Sequence, residues 1–333
     1  MRAVVFHGDG VVRVEERAMP VAAPDEVVVR VEACGICGSD VQIANVPPGH
    51  PSTPPVVLGH GFVGRIAAVG SAVRDVTVGQ RVVVDPDPKC GSCAYCRAGR
   101  PANCTNIVAL GVYRDGALAE FVAAPAACAF PIAEDVRPEI AALTEPLACV
   151  VNATGRAAVR PGESAVVYGA GAIGLLFVAV FKASGASPVV VVEPNPRRRA
   201  VALQVGADHA LAPGEAAGLR TSILPLGADV VADAVGSALG DAIDVAAMGA
   251  RIVVFGMNQN AVVPVRQVII TEKSLAIFGT YITHFTFPAA IRMIESGSLN
   301  LKPIVGDVVS LADALQGLAR LRSGEATKVV IVP

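Results

Sequence analysis

Ala165-Val166-Val167-Tyr168-Gly169-Ala170-Gly171-Ala172-Ile173-Gly174 is the stretch on which the fold turns, and the apolar run 175–183 follows it directly. Residues 165–168 read as a buried strand and 175–183 as a buried helix, so the glycines stand where a strand turns into a helix. A Gly-x-Gly-x-x-Gly pattern alone is weak. Here the next strand candidate, 189–192, is followed by Glu193, nineteen residues beyond Gly174, and strand, turn, helix and acidic residue together make the fingerprint of a dinucleotide site. Gly169 permits the tight turn, Gly171 lets the backbone approach a pyrophosphate, and Gly174 lets helix and strand pack closely; the helix start at Ala172 and Ile173 attracts phosphates. Glu193 in this position accepts hydrogen bonds from the adenosine ribose and repels a 2′-phosphate, which favours NAD over NADP. Arg197, Arg198 and Arg199 follow, and an arginine here can pair with a 2′-phosphate, so Arg198 is counted as a cofactor contact and NADP as the lesser choice.

Working outward, strand candidates at 230–233, 251–255 and 274–278 alternate with Ala-rich, helix-compatible segments. That alternation predicts a doubly wound parallel sheet. Upstream the pattern differs. Residues 2–33 are short Val-rich segments broken by Gly8-Asp9-Gly10 and the prolines of 20–24, the pattern of β-hairpins and small barrels, with further strands at 64–69 and 81–84. A helix is expected over 141–158. The tail carries helix candidates at 288–296 and 311–322 and a strand at 328–332, too short to fold alone, so it is expected to return to the first domain. A length of 333 residues suits two domains rather than one.

Apolar residues make up 53% of the chain and charged ones 17%, which excludes a disordered polymer. A net charge of −2 with no long basic run gives no reason to expect nucleic acid or an anionic membrane as partner. The longest strongly apolar stretch, 172–181, stops at Lys182, about half the length of a membrane span, and the N-terminus has no signal pattern. A cytoplasmic protein is expected.

Four of the eight cysteines, Cys90, Cys93, Cys96 and Cys104, stand at C-x2-C-x2-C-x7-C, close enough for one loop to wrap all four thiolates around a tetrahedral ion. A closed four-sulfur site is structural. A ferredoxin cluster competes, but its usual spacing ends in C-x3-C-P and Cys104 precedes Thr105, so zinc is the better reading. Cys37 in Cys34-Gly35-Ile36-Cys37-Gly38-Ser39-Asp40, His60 in Leu58-Gly59-His60-Gly61, and Glu145 in Thr144-Glu145-Pro146-Leu147 are each unremarkable alone.

These motifs, with Asp115-Gly116, Ala119-Glu120-Phe121 and Lys328-Val329-Val330, resemble the zinc-containing medium-chain dehydrogenase/reductase family over nearly the whole chain, above all its sorbitol and threonine dehydrogenase-like branch. The resemblance implies an α/β protein. It consists of a GroES-like β-rich catalytic domain, 1–148 and 280–333, with a structural zinc lobe at about 89–106, and a Rossmann NAD-binding domain, 149–279. It implies two Zn²⁺ per chain, one held by the four-cysteine lobe and one catalytic, held by Cys37, His60 and Glu145 with a fourth position open for water or substrate. Cys34, Cys128 and Cys149 are then core residues.

By the same resemblance, Ser39 accepts the alcohol proton and Val112, Tyr113, Tyr281 and His284, with Thr280 and Phe285, line the substrate pocket. The assembly is a homotetramer or homodimer. Two positions depart from the family pattern: Gly61 stands where many relatives carry glutamate, and Gln42 where many carry a histidine that passes the proton to solvent. The expected activity is hydride transfer between NAD(H) and a secondary alcohol or ketone, a polyol, cyclitol, sugar derivative or amino alcohol. Two alternatives are a reductase of the same fold that lacks catalytic zinc and acts on an activated double bond, and a redox sensor using Cys34 and Cys37.

Overall fold

The strand Glu26–Gly35 runs through the middle of its sheet, with Val27, Val29 and Ala33 fully buried. Alternation is what drives it there: Arg30 and Glu32 interrupt the valines so that one face is apolar along most of its length. The computed structural model describes residues 1–333 except Ala217. Two units can be distinguished. The first comprises Met1–Ala148, Ile282–Gly297 and Val305–Pro333, and the second Cys149–Tyr281 and Ser298–Ile304.

In the first unit the main sheet runs, in order, Asp307–Ser310, Val329–Val332, Glu26–Gly35, Gly61–Val69, Arg81–Val84 and Ala129–Pro131, with Phe121–Pro125 also paired to Glu26–Gly35. A second sheet of three strands joins Val12–Glu16, Arg2–Phe6 and Val56–Val57. Val29, Phe62, Ile66, Leu110 and Leu118 meet in the core, each worth about 1.5–3 kcal/mol of burial. One register matters for function. Glu26–Gly35 pairs antiparallel with Gly61–Val69 so that Gly35 faces Gly61. The chain leaving one strand reaches Cys37 two residues later, and the chain entering the other has just passed His60.

The second unit is a six-stranded parallel sheet in the order His209–Leu211, Val189–Val192, Ala165–Tyr168, Ala228–Asp233, Ala246–Val254 and Ala276–Gly279. All four valines of Val189–Val192 are buried, as strands covered on both faces must be. The helix Ala172–Ala183 buries every residue from Gly174 to Phe181, which explains why it is apolar all round.

Some boundaries differ from the expected ones. The helix expected over 141–158 is two helices, Pro138–Ala141 and Thr144–Ala157, and the Thr144 hydroxyl donates to the Ala141 carbonyl at 2.7 Å where they meet. The strand expected at 251–255 begins already at Ala246. No described helix is long and apolar enough to cross a membrane.

Candidate active site and metal centres

Cys37 precedes the short helix Gly38–Ile43, and Asp40 on that helix ties the site together. Its carboxylate is fully buried and accepts from the Cys37 N–H at 2.7 Å and the Gly59 N–H at 3.2 Å, so one side chain bridges the two loops that carry Cys37 and His60. Gly59 has φ +90, and a Cβ there would stand 2.6 Å from the Leu118 side chain, so only glycine delivers the chain to His60 in this way. Asp40 Oδ1 also lies 3.8 Å from His60 Nδ1, an ion-pair distance rather than a hydrogen bond.

His60 is 9% exposed, and its Nδ1 is buried without a hydrogen-bond partner. Burial works to raise the Cys37 thiol, but the charge of His60 and a hydrogen bond to its ring outweigh it and leave the thiol below its ordinary value. Burial works to lower the His60 imidazole, yet the charges of Cys37 and Asp40 and the hydrogen bond from Cys37 carry it well above its ordinary value. Cys37 and His60 are therefore in side-chain contact, each favouring the charged form of the other. Glu145, in the first turn of Thr144–Ala157, acts on both by charge, and a Cβ built at Gly61 would lie 3.6 Å from its Oε2. The space that a glutamate at 61 would enter is thus bordered by Glu145 itself. A thiolate, an imidazole and a carboxylate suit zinc, although these three are less tightly gathered than the cysteine lobe.

Ser39 Oγ stands 3.3 Å from His60 Nε2. Gln42 lies three residues further along the same helix, on the same face. Lys328, whose Nζ donates to the Ile36 carbonyl at 2.9 Å, is buried and its charge lowers the Cys37 thiol.

In the lobe, the sulfurs of Cys90, Cys93, Cys96 and Cys104 all lie within 4.8 Å of one another, the only such group of metal-type donors among the described residues. Four sulfurs about 2.3 Å from a tetrahedral zinc stand about 3.8 Å apart, so the cluster fits that ion closely. Backbone N–H groups already point at the sulfurs: Cys93 donates to Cys90 Sγ at 3.3 Å and Cys96 to Cys93 Sγ at 3.4 Å. Those bonds lower the Cys90 thiol to about 5 and the Cys93 thiol to about 7.

In the second unit Gly169 has φ +94, and a Cβ on Gly174 would lie 1.9 Å from the Gly169 carbonyl, while one on Gly171 would meet nothing within 4 Å. The turn is closed where helix and strand pack and open where a pyrophosphate would approach. Glu193 is 4% exposed; its carboxylate accepts from the Ala170 N–H at 2.7 Å and the Asn195 N–H at 2.9 Å, which fixes it at the end of Val189–Val192 with lone pairs to spare. Arg199 is committed to the Glu193 and Pro194 carbonyls at 2.8 Å, while Arg198 is half-buried and Arg197 exposed. A cavity of about 510 Å³ beside the turn is lined by Tyr168, Gly169, Val192, Pro194 and Val235 among others.

Of the residues expected in the substrate pocket, Val112 is buried and Tyr113 exposed, both in the first unit with His284, which packs edge-on against Phe285. Tyr281 ends the first segment of the second unit and is exposed. Sequence reasoning passed over Asp87. It is 8% exposed, burial pushes its carboxyl up to about 7, and the charges of Glu145 and His60 reach it. The signal was the alternation Asp85-Pro86-Asp87-Pro88, an acidic pair in a segment that otherwise reads as a linker to the cysteine loop.

The family profile described as "Alcohol dehydrogenase GroES-like domain" matches residues 23–134, and that described as "Zinc-binding dehydrogenase" matches 172–296. The chain is 31% identical to sorbitol dehydrogenase of Bacillus subtilis (strain 168), covering 100% of this chain and 97% of that protein. It is 36% identical to L-threonine 3-dehydrogenase of Chelativorans sp. (strain BNC1), covering 95% and 94%. Among solved structures it superposes on a zinc-binding dehydrogenase of Sinorhizobium meliloti 1021 bound to NADP with a TM-score of 0.95, at 32% identity over 100% of this chain and 99% of that one. It superposes on an alcohol dehydrogenase of Escherichia coli CFT073 complexed with NADH with a TM-score of 0.93, at 31% identity and the same coverage. With likeness of this depth from end to end, the chain belongs to the zinc-containing medium-chain dehydrogenase family, oxidoreductases that use a nicotinamide cofactor.

Proposed function

We propose that this chain oxidises a secondary alcohol flanked by other polar groups, such as a polyol, cyclitol, amino alcohol or sugar derivative, with NAD preferred as hydride acceptor. The observation that carries the reading is the meeting of the Cys37 and His60 side chains beside Ser39 Oγ, with the Glu145 carboxylate against Gly61. The named substrates of the relatives, sorbitol and L-threonine, are both alcohols of this kind.

Cys37, His60 and Glu145 would hold the catalytic zinc, and Cys90, Cys93, Cys96 and Cys104 the structural one. Bound zinc supplies a Lewis acid that makes an alcohol hydroxyl easier to ionise, and the bound dinucleotide supplies the acceptor for the hydride. Ser39 Oγ takes the hydroxyl proton. Serine cannot keep it, and Gln42 on the same helix face has no titrating group, so water carries the proton onward. Asp40 ties the two ligand loops together and sets a negative charge beside His60. In the second unit the glycine turn and the start of Ala172–Ala183 take the pyrophosphate, and Glu193, with Arg198 near it, faces the adenosine ribose. The fixed charge of Glu193 supports NAD over NADP. Cysteines gathered at a metal-type site rather than in disulfides support a reducing, cytoplasmic setting, and a closed homodimer or homotetramer is the expected assembly.

The test is NAD⁺ and NADP⁺ reduction over polyols, inositols, amino alcohols and simple secondary alcohols, with and without a chelator, alongside metal analysis. Two zincs per chain and chelator-sensitive oxidation are expected. One zinc per chain and no alcohol oxidised would instead fit the metal-free reductase.

A further inference from the structure

The turn that begins at Ile282 breaks local rules repeatedly. Ile282 has φ +41 and Phe285 φ +55, so two non-glycine residues of one short turn sit in the left-handed region, where a β-branched side chain is a rare outlier. Thr286 stands at the N-cap of the helix Phe287–Glu295 yet makes no capping bond to it. Its hydroxyl donates instead to the Ala148 carbonyl at 2.7 Å and accepts the His284 N–H at 3.3 Å. Thr283, 1% exposed, donates its hydroxyl to Asp85 Oδ2 at 3.0 Å and accepts from Lys89 Nζ at 3.0 Å, while Lys89 also donates to Asp85 Oδ2 at 2.8 Å. Between these two clamps stand His284 and Phe285, their ring centroids 5.4 Å apart and edge-on, with Phe285 76% exposed. A turn that forgoes a cap, accepts backbone strain and leaves a phenyl ring in solvent is not built for stability. Its moorings say where it acts. Ala148 lies about one helical turn beyond Glu145 on the helix Thr144–Ala157. Asp85 follows the strand Arg81–Val84, whose register against Gly61–Val69, with Val63 opposite Val83, carries Asp85 to the level of Gly61, next to His60.

We propose that Thr283 and Thr286 are positioning residues: they hold the strained turn 282–286 so that His284 and Phe285 form a fixed wall of the alcohol pocket beside His60 and Glu145. This rests on the alcohol dehydrogenase reading above and assigns how its pocket wall is held. A wall set in advance loses less conformational freedom when the alcohol binds, so the clamps act on substrate affinity rather than on the hydride step.

The experiment takes, of sorbitol, L-threonine, myo-inositol and butane-2,3-diol, the alcohol that the wild-type holoenzyme oxidises with the highest kcat/KM. It follows that alcohol in Thr283→Val, Thr286→Val, the two matching serine variants and Phe285→Gly. Each valine variant keeps the branched shape and loses the hydroxyl; KM should rise about 10-fold or more with kcat within about threefold, since a misplacement of about 1 Å can cost about 100-fold. Amide hydrogen exchange over 282–286 should quicken in the valine variants, while zinc content and NADH affinity, read by fluorescence enhancement, stay as in the wild type. The serine variants keep the hydroxyl and should hold KM within about twofold of the wild type. Phe285→Gly, which a left-handed backbone accepts without strain, should raise KM about 10-fold without lowering the melting temperature. An unchanged KM in either valine variant or in Phe285→Gly overturns the proposal, as does an equal loss in the serine variants, and each leaves the dehydrogenase reading standing. Oxidation of none of the four alcohols overturns both.

Discussion

The two donor sets of the first unit are built in opposite ways. The four-cysteine lobe lies within one loop, three of its sulfurs are at least partly exposed, and backbone N–H groups are aimed at the sulfurs without help from the rest of the fold. The set of Cys37, His60 and Glu145 comes from three separated segments; His60 is buried and the other two are half-buried. What gathers it is a strand register, Gly35 opposite Gly61, and one buried carboxylate, Asp40. A closed sulfur cage contributes local stability, whereas a looser set with an open position leaves room for chemistry. Stability and activity should therefore separate cleanly when each set is disturbed.

The largest effect is expected from Cys37→Ala, which should lower kcat/KM at least about 10³-fold by removing the zinc that polarises the alcohol, with the lobe zinc retained. Metal content falling from two to one per chain with little change in melting temperature is the measurement. Ser39→Ala should slow the proton-coupled step by about 10²-fold without changing zinc content, seen in single-turnover reduction of NAD⁺.

If Cys37, His60 and Glu145 hold zinc as proposed, Asp40→Asn should weaken that hold by about 10–100-fold, because the negative charge beside His60 is lost; competition with a metal-binding dye reads this directly. A zinc affinity equal to the wild type would mean that the register alone assembles the site. Cys93→Ser is expected to cost less than about tenfold in turnover while removing one zinc and lowering the melting temperature, since the lobe is structural.

The smallest effect concerns the shape of a pH profile. Single-turnover rates of the wild type should show no inflection near about pH 6.5, and Gln42→His should introduce one, because an imidazole then titrates in the relay. A clean wild-type inflection there that persists in His50→Ala and His7→Ala would break the assignment of the relay to water.

Local sequence was enough for the glycine turn, the parallel sheet and the lobe. Gly169 to Gly174 sits between a strand and a helix that are both adjacent in the chain, and C-x2-C-x2-C-x7-C closes on itself, so neither reading needs a distant partner. Helix ends were less legible. The break between Pro138–Ala141 and Thr144–Ala157 depends on a hydroxyl-to-carbonyl bond, and the early start of Ala246–Val254 on its pairing with Ala228–Asp233, neither of which hydrophobic periodicity records. Asp87 was missed for a related reason: nothing in a single sequence tells a solvated aspartate from a buried one.

The amino-acid sequence by itself thus determined the two-part α/β architecture, the dinucleotide turn and the sulfur cage, because each rests on contacts between near neighbours. Only the tertiary structure decided that Cys37 meets His60, that Asp40 bridges their loops, that Glu145 borders Gly61, and that Asp87 is buried. The meeting of Cys37 and His60 depends on which residues face one another across an antiparallel register, because a slip between Gly35 and Gly61 would displace the loops that carry both.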